Sequence, residues 1–147
     1  MSSSLAPFFN AKGVAVLGAS TNPKKLSYGI VNNLLSHGYE GKVYPVNPNA
    51  DEILGLKVYP TIADVPDPVE LAVVVLPVTI IMETMKAVGE RGIKAAVVIT
   101  GGFKELGEEG AKIERDLKAL TDSYGMRIVG PNCVGTMSMY TGLNSTF

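Results

Sequence analysis

Short, almost wholly apolar runs recur along this sequence, and the stretches between them carry apolar residues at helical spacing. GVAVLG (13–18), KVYPV (42–46), KVY (57–59), LAVVVL (71–76), AAVVIT (95–100) and RIVG (127–130) read as six strands. Ile30, Val31, Leu34 and Leu35 mark a first helix that ends near Gly38, a C-cap glycine. A second starts at Thr79 and places Ile81, Met85 and Val88 on one face, with Met82 and Met85 as core filler. A third, from Gly107 to Ser123, sets Ile113, Leu117 and Leu120 on one stripe and puts Glu108 and Glu109 where the helix dipole favours anions. TIAD (61–64) has the form of a capping box opening a brief helical turn. Apolar strands separated by amphipathic helices cannot pair as hairpins, and right-handed crossovers then cover both sheet faces with helices. The fold class is therefore α/β, a doubly wound and mostly parallel sheet, whose strands lack polar alternation because they are buried on both sides.

At 147 residues and 46% hydrophobic content, one core and one domain spanning residues 1–147 are expected. With 13 basic and 14 acidic side chains the net charge is −1, so neither nucleic acid nor an anionic membrane is an expected partner. Any anionic ligand must be held locally. The longest apolar run, LAVVVLPV at 71–78, is far short of the roughly 20 residues a membrane helix needs. The opening MSSSLAPFFNAK lacks the basic and apolar regions of a signal peptide, which points to a cytoplasmic location. A single cysteine, Cys133, excludes an internal disulfide.

In doubly wound sheets ligands settle beyond the carboxyl ends of the strands, so the loops after each strand carry the functional information. After the first strand, GASTNPKKLSYG (18–29) offers a glycine turn, a helix start, the hydroxyls of Ser20 and Thr21, and the cations Lys24 and Lys25. Backbone N–H groups in such a turn suit a phosphate. The loop is not the dinucleotide fingerprint, because Ala19 and Ser20 follow Gly18 and the next glycine is Gly29. After strand two, Val46, Asn47, Pro48 and Asn49 stand where NAD-binding domains carry a ribose-binding acid; Asp51 and Glu52 just beyond read as solvated. Leu76 and Pro77 turn the chain sharply at the fourth strand, and Thr100, Gly101, Gly102 and Phe103 bring bare backbone to the end of the fifth. GPNCVG (130–135) presents Asn132 and Cys133. Cys133 reads as a small buried hydrophobe or ligand contact rather than a reactive thiol. His37 closes the first helix with no cluster of metal-ligating residues beside it, so no metal is expected and imidazole capping of helix carbonyls is its reading.

Taken in order, GAST, VNPN, VLP, ITGGFKELGEEG and GPNCVG resemble the coenzyme A-binding, Rossmann-type domain of ADP-forming acyl-CoA synthetases, with the succinyl-CoA synthetase alpha subunit as a wider relative. The resemblance covers about residues 8–147. It implies that Gly18, Ala19, Ser20 and Thr21 meet the CoA phosphates, that Val46, Asn47 and Pro48 border the nucleotide, and that Leu76 and Pro77 line its path. Ile99, Thr100 and Gly101 would guide the pantetheine arm, with Asn132 and Cys133 towards the thiol. The succinyl branch has a lysine between glycines after the strand-two proline, where this chain reads Pro48, Asn49, Ala50, Asp51; Lys24 and Lys25 are the expected substitutes.

The resemblance implies a parent reaction in which acid, CoA and ATP give acyl-CoA, ADP and phosphate, acetate being the family-level acid. The family's phosphohistidine lies in a later domain and His37 matches no part of its motif, so no catalytic residue is expected here. The chain is then expected to be the amino-terminal fragment of a longer ligase, with the remaining ligase domains or a subunit including an ATP-grasp segment as partners. Two other readings compete: a free-standing CoA-binding or sensing module, and an NAD(P)-binding oxidoreductase domain, which the broken glycine spacing and missing acid disfavour.

Overall fold

A computed structural model describes residues 3–147 of the chain. Met1 and Ser2, part of the opening stretch read as lacking a signal peptide, lie outside the described residues. Strands β1 (Gly13–Leu17), β2 (Lys42–Val46), β5 (Leu71–Val74), β6 (Ala95–Val98) and β7 (Arg127–Val129) form one sheet in the order β2-β1-β5-β6-β7. Every pair is parallel. The remaining strands, β3 (Glu52–Ile53) and β4 (Leu56–Lys57), make a separate antiparallel pair.

The doubly wound expectation holds, and the side chains show why. Val14, Val16, Leu71, Val73, Ala95 and Val97 point to one face of the sheet, where α1 (Pro7–Asn10) and α2 (Leu26–Ser36) contribute Phe8, Ile30 and Leu34. Ala15, Leu17, Ala72, Val74, Ala96 and Val98 point to the other, against Ile81, Met85 and Val88 of α3 (Ile81–Glu90) and Leu117 of α4 (Glu108–Ser123). Successive residues of a strand alternate between faces, so a strand covered on both sides has no polar positions to spare. Ile113, Leu120 and Met82 pack at the margin of this second layer.

One expected strand does not join the sheet. KVY (57–59) lies outside it, so among the described residues the main sheet has five strands rather than six. Leu54 and Gly55 both take positive φ, 50° and 79°, closing a two-residue hairpin between β3 and β4. Positive φ at both central positions is what such a turn requires, and Leu-Gly is a weak sequence signal for it. Tyr59 alone meets the sheet, as a single bridge to Val46, while its N–H donates to the Pro45 carbonyl. The carboxyl end of the outer β2 edge is thereby covered, and Pro45 has no N–H to offer there.

The helix ends follow the sequence. Thr61 and Asp64 form the expected capping box on a 3-10 turn, Ile62–Asp64. Helix α2 ends at His37, whose Nδ1 lies 2.9 Å from the Asn33 carbonyl, and Gly38 follows with φ 80°. The strands are shorter than their apolar runs: Val75 and Leu76, Ile99 and Thr100, and Gly130 leave the ladder and build the rim. Residues 131–147 fold back beside α1 and α2, burying Leu143 and anchoring through Asn33 Nδ2 to the Thr146 carbonyl at 2.9 Å.

Candidate functional site

Numbered by rank in the main sheet, the strand order is 2-1-3-4-5, and it reverses between β1 and β5. A crevice opens at such a reversal because the connections on either side leave in opposite directions. A cleft of about 1080 Å³ lies there, and Gly18, Val46, Leu76, Ile99 and Gly101 border it from the ends of four strands.

Gly18 sets its floor. At φ 88° the residue has the left-handed conformation, and a Cβ there would stand 2.1 Å from the Val75 carbonyl oxygen. Its N–H donates to the Val46 carbonyl, so the ends of β1, β2 and β5 are drawn together at a point only glycine can occupy. The following turn is organised by side chains: Ser20 Oγ accepts the Asn22 N–H at 3.1 Å, and Asn22 Oδ1 accepts the Lys24 N–H at 2.9 Å. Lys25 then enters α2 in an extended conformation without a side-chain cap. Among the described residues, no protein acceptor meets the N–H groups of Leu26 and Ser27, which border the cleft. Uncapped amides and the positive end of the helix dipole are suited to an anion.

The neighbouring loops are tied to this turn. Asn47 Nδ2 donates to the Ala19 carbonyl at 2.7 Å, and Asn47 Oδ1 accepts the Asn49 N–H at 2.8 Å. The Asn47 side chain therefore braces two loops while its backbone and Pro48 face the cleft. Thr100 plays a matching part on the far side. Its hydroxyl donates to the Leu76 carbonyl at 2.7 Å and accepts the Leu76 N–H at 3.3 Å, locking the ends of β5 and β6 together.

Twelve of the sixteen residues expected at the site border the cleft: Gly18, Ala19, Ser20 and Lys25; Val46, Asn47 and Pro48; Leu76 and Pro77; Ile99, Thr100 and Gly101. Thr21 and Lys24 are exposed beside it rather than lining it. Asn132 and Cys133 also lie outside the lining. The Asn132 N–H donates to the Thr100 carbonyl at 2.9 Å, which holds its side chain near Gly101. Cys133 Sγ packs on the α2 side of the sheet with the Val98 carbonyl at 3.4 Å, and burial pushes its thiol pKa up. That is the opposite of an activated nucleophile. His37 stands at the end of α2, away from the cleft lining, as a cap.

Several lining residues escape a reading of the sequence. Ser27 is 4% exposed and borders the cleft from the first turn of α2. Its signal is a small hydroxyl residue two positions inside a helix that follows a glycine turn. Ile80, Thr84 and Ala87 line the opposite wall at i, i+4 and i+7 spacing, a face that the core-facing stripe of the same helix conceals. Pro60 and Thr61 complete that wall from the turn after the hairpin. Among the described lining residues Lys25 is the cation and Glu83 the carboxylate, so local amides rather than net charge must attract an anion. Among the described residues no group of three or more His, Cys, Asp or Glu side chains converges to hold a metal ion, and no helix is long and apolar enough to cross a membrane.

Known proteins with this arrangement agree with one another. A family model described as CoA binding domain matches residues 12–139. The alpha subunit of ADP-forming acetate–CoA ligase II from Pyrococcus furiosus is 47% identical over 95% of this chain, which spans 30% of that subunit. ADP-forming acetate–CoA ligase II from Archaeoglobus fulgidus is 45% identical over 97% of the chain and 21% of its own length. Among solved structures, the apo form of the dinucleotide-forming acetyl-coenzyme A synthetase 1 of Ca. Korarchaeum cryptofilum superposes with a TM-score of 0.92 at 46% identity, covering 97% of this chain and 31% of that one. The chain thus spans less than a third of the length of each of these relatives.

Proposed function

The chain belongs to the CoA-binding domain family, and from that premise we propose that it holds coenzyme A across the rim cleft, pyrophosphate against the Gly18 turn and the start of α2. It is homologous to the alpha subunit of ADP-forming acetate–CoA ligases. The observation that carries the proposal is the pair of uncapped N–H groups of Leu26 and Ser27 at the cleft, beside a Gly18 turn so close to β5 that a Cβ there would collide with the Val75 carbonyl. Ala19, Ser20 and Thr21 border the phosphates, with Lys25 and, from outside the cleft, Lys24 as cations. Val46, Asn47 and Pro48 flank the nucleotide, Leu76 and Pro77 its path. Ile99, Thr100 and Gly101 guide the pantetheine arm towards Asn132 and Cys133.

In this reading residues 1–147 are one domain of an acid–CoA ligase that forms acyl-CoA, ADP and phosphate from acid, CoA and ATP. Other ligase domains or a subunit, an ATP-grasp segment among them, supply the nucleotide site and the phosphohistidine, and the domain works in the cytoplasm without a metal of its own. Among its described residues this chain brings anion-binding loops and no paired nucleophile and base. The alternative of a free-standing CoA-binding module is not favoured, since the ligase chains share nearly half of its residues over almost its whole length.

Calorimetric titration of the full chain with CoA and with NAD side by side tests the reading. Micromolar CoA binding, about −8 kcal/mol, is expected, with NAD at least a hundredfold weaker. No CoA binding, or NAD binding equally well, overturns it.

A further inference from the structure

The diglycine after β6 sits between two anchors. On one side Thr100 is fixed by Leu76 and by the Asn132 N–H. On the other, Phe103 is fully buried, and its carbonyl lies so close to Gly110 that a Cβ there would stand 1.9 Å from it. Gly101 and Gly102 span the gap, Gly102 with φ 102°. Glycine at such positions has more conformations open to it than any other residue, so the path of this segment is not set by its own backbone preferences. A side chain hydrogen-bonds to it: Glu105 Oε1 accepts the Gly102 N–H at 2.5 Å. The same oxygen and Asn132 Oδ1 each lie 3.4 Å from the point where a Gly101 Cβ would be.

We propose that Glu105 is a positioning residue for the thiol-bearing arm of CoA, fixing the Gly101–Gly102 backbone at the rim so that the arm lies against it. This rests on the reading of the cleft given above, because Gly101 borders that cleft and Glu105 does not. The carboxylate stays ionised at neutral pH: the N–H groups of Gly102, of Glu105 itself and of Phe103, in that order, hold it below the usual glutamate range. Its place also avoids the phosphates. The β6 end is two strands from β1, about 10 Å along the rim, so a negative charge there does not oppose the anion-binding turn. Lys104, next in the chain, makes its ion pair with Glu114 at 3.6 Å, and its charge is the smallest of the influences on the Glu105 carboxylate.

The test separates the two halves of the ligand. Wild type, Glu105→Ala and Glu105→Gln are each titrated with CoA and with 3′-phosphoadenosine 5′-diphosphate, which lacks the pantetheine arm, and thermal midpoints are recorded. Glu105→Ala is expected to weaken CoA about tenfold, the loss of one charge-assisted hydrogen bond, and to change affinity for the nucleotide half by less than about twofold. Glu105→Gln, whose carbonyl can still accept the Gly102 N–H, should recover most of the CoA affinity. Unchanged CoA binding in Glu105→Ala, or equal weakening of both ligands, overturns the proposal while leaving the CoA reading intact. A wild-type chain that binds neither ligand overturns that parent reading and this one with it.

Discussion

Gly18 carries more of the site than any other residue, because its amide, its lack of a side chain and its positive φ each serve a different strand end. Replacing it with alanine forces a Cβ into the Val75 carbonyl and strains the backbone, so Gly18→Ala should lower stability by at least about 2 kcal/mol and abolish CoA binding, read by denaturant unfolding and titration. The position is legible in the sequence because a buried strand seldom ends on glycine unless the chain turns tightly there. Ser27 is not: a serine within a helix has many uses, and only the folded chain shows it nearly sealed at the mouth of the cleft. Asn47 is legible as a rim residue but not as a brace, since the acceptor of its amide, the Ala19 carbonyl, lies in a distant loop.

Helix α2 presents a start whose charge distribution can be dissected. Lys25 borders the cleft and Lys24 does not, although they are adjacent, because the chain changes from turn to helix between them. Lys25→Ala should therefore weaken CoA roughly three- to tenfold, and more at low salt than at high, while Lys24→Ala, acting from outside the cleft, weakens it by a smaller factor of about two. A double variant that binds as wild type would remove both from the site. Elements with long apolar periods are readable, as α3 and α4 show, because burial on one stripe leaves no other pattern. The hairpin of β3 and β4 is not, since two-residue strands have no period and their turn depends on a leucine at positive φ.

At the scale of the molecule, the segment between α2 and β2 is fastened to the chain ahead of β1 by the Tyr39 hydroxyl, which donates to the Ala11 carbonyl at 2.7 Å. Burial, then the charge of Glu70, pushes the Tyr39 pKa up from 10.0 to about 12. A folded value above the unfolded one means stability that is full below pH 10 and lost as pH climbs towards 12. Tyr39→Phe should cost about 1 kcal/mol at neutral pH and show a shallower alkaline decline, followed by unfolding at stepped pH. The sheet's two flanks differ in a way that bears on assembly. Beside β2, the Tyr59 bridge and the missing N–H of Pro45 break up the ladder a newcomer would need, whereas the three residues of β7 have no strand beyond them among the described residues. Lateral growth by a foreign ribbon is thus one-sided, and the available seam is too short to template a long one.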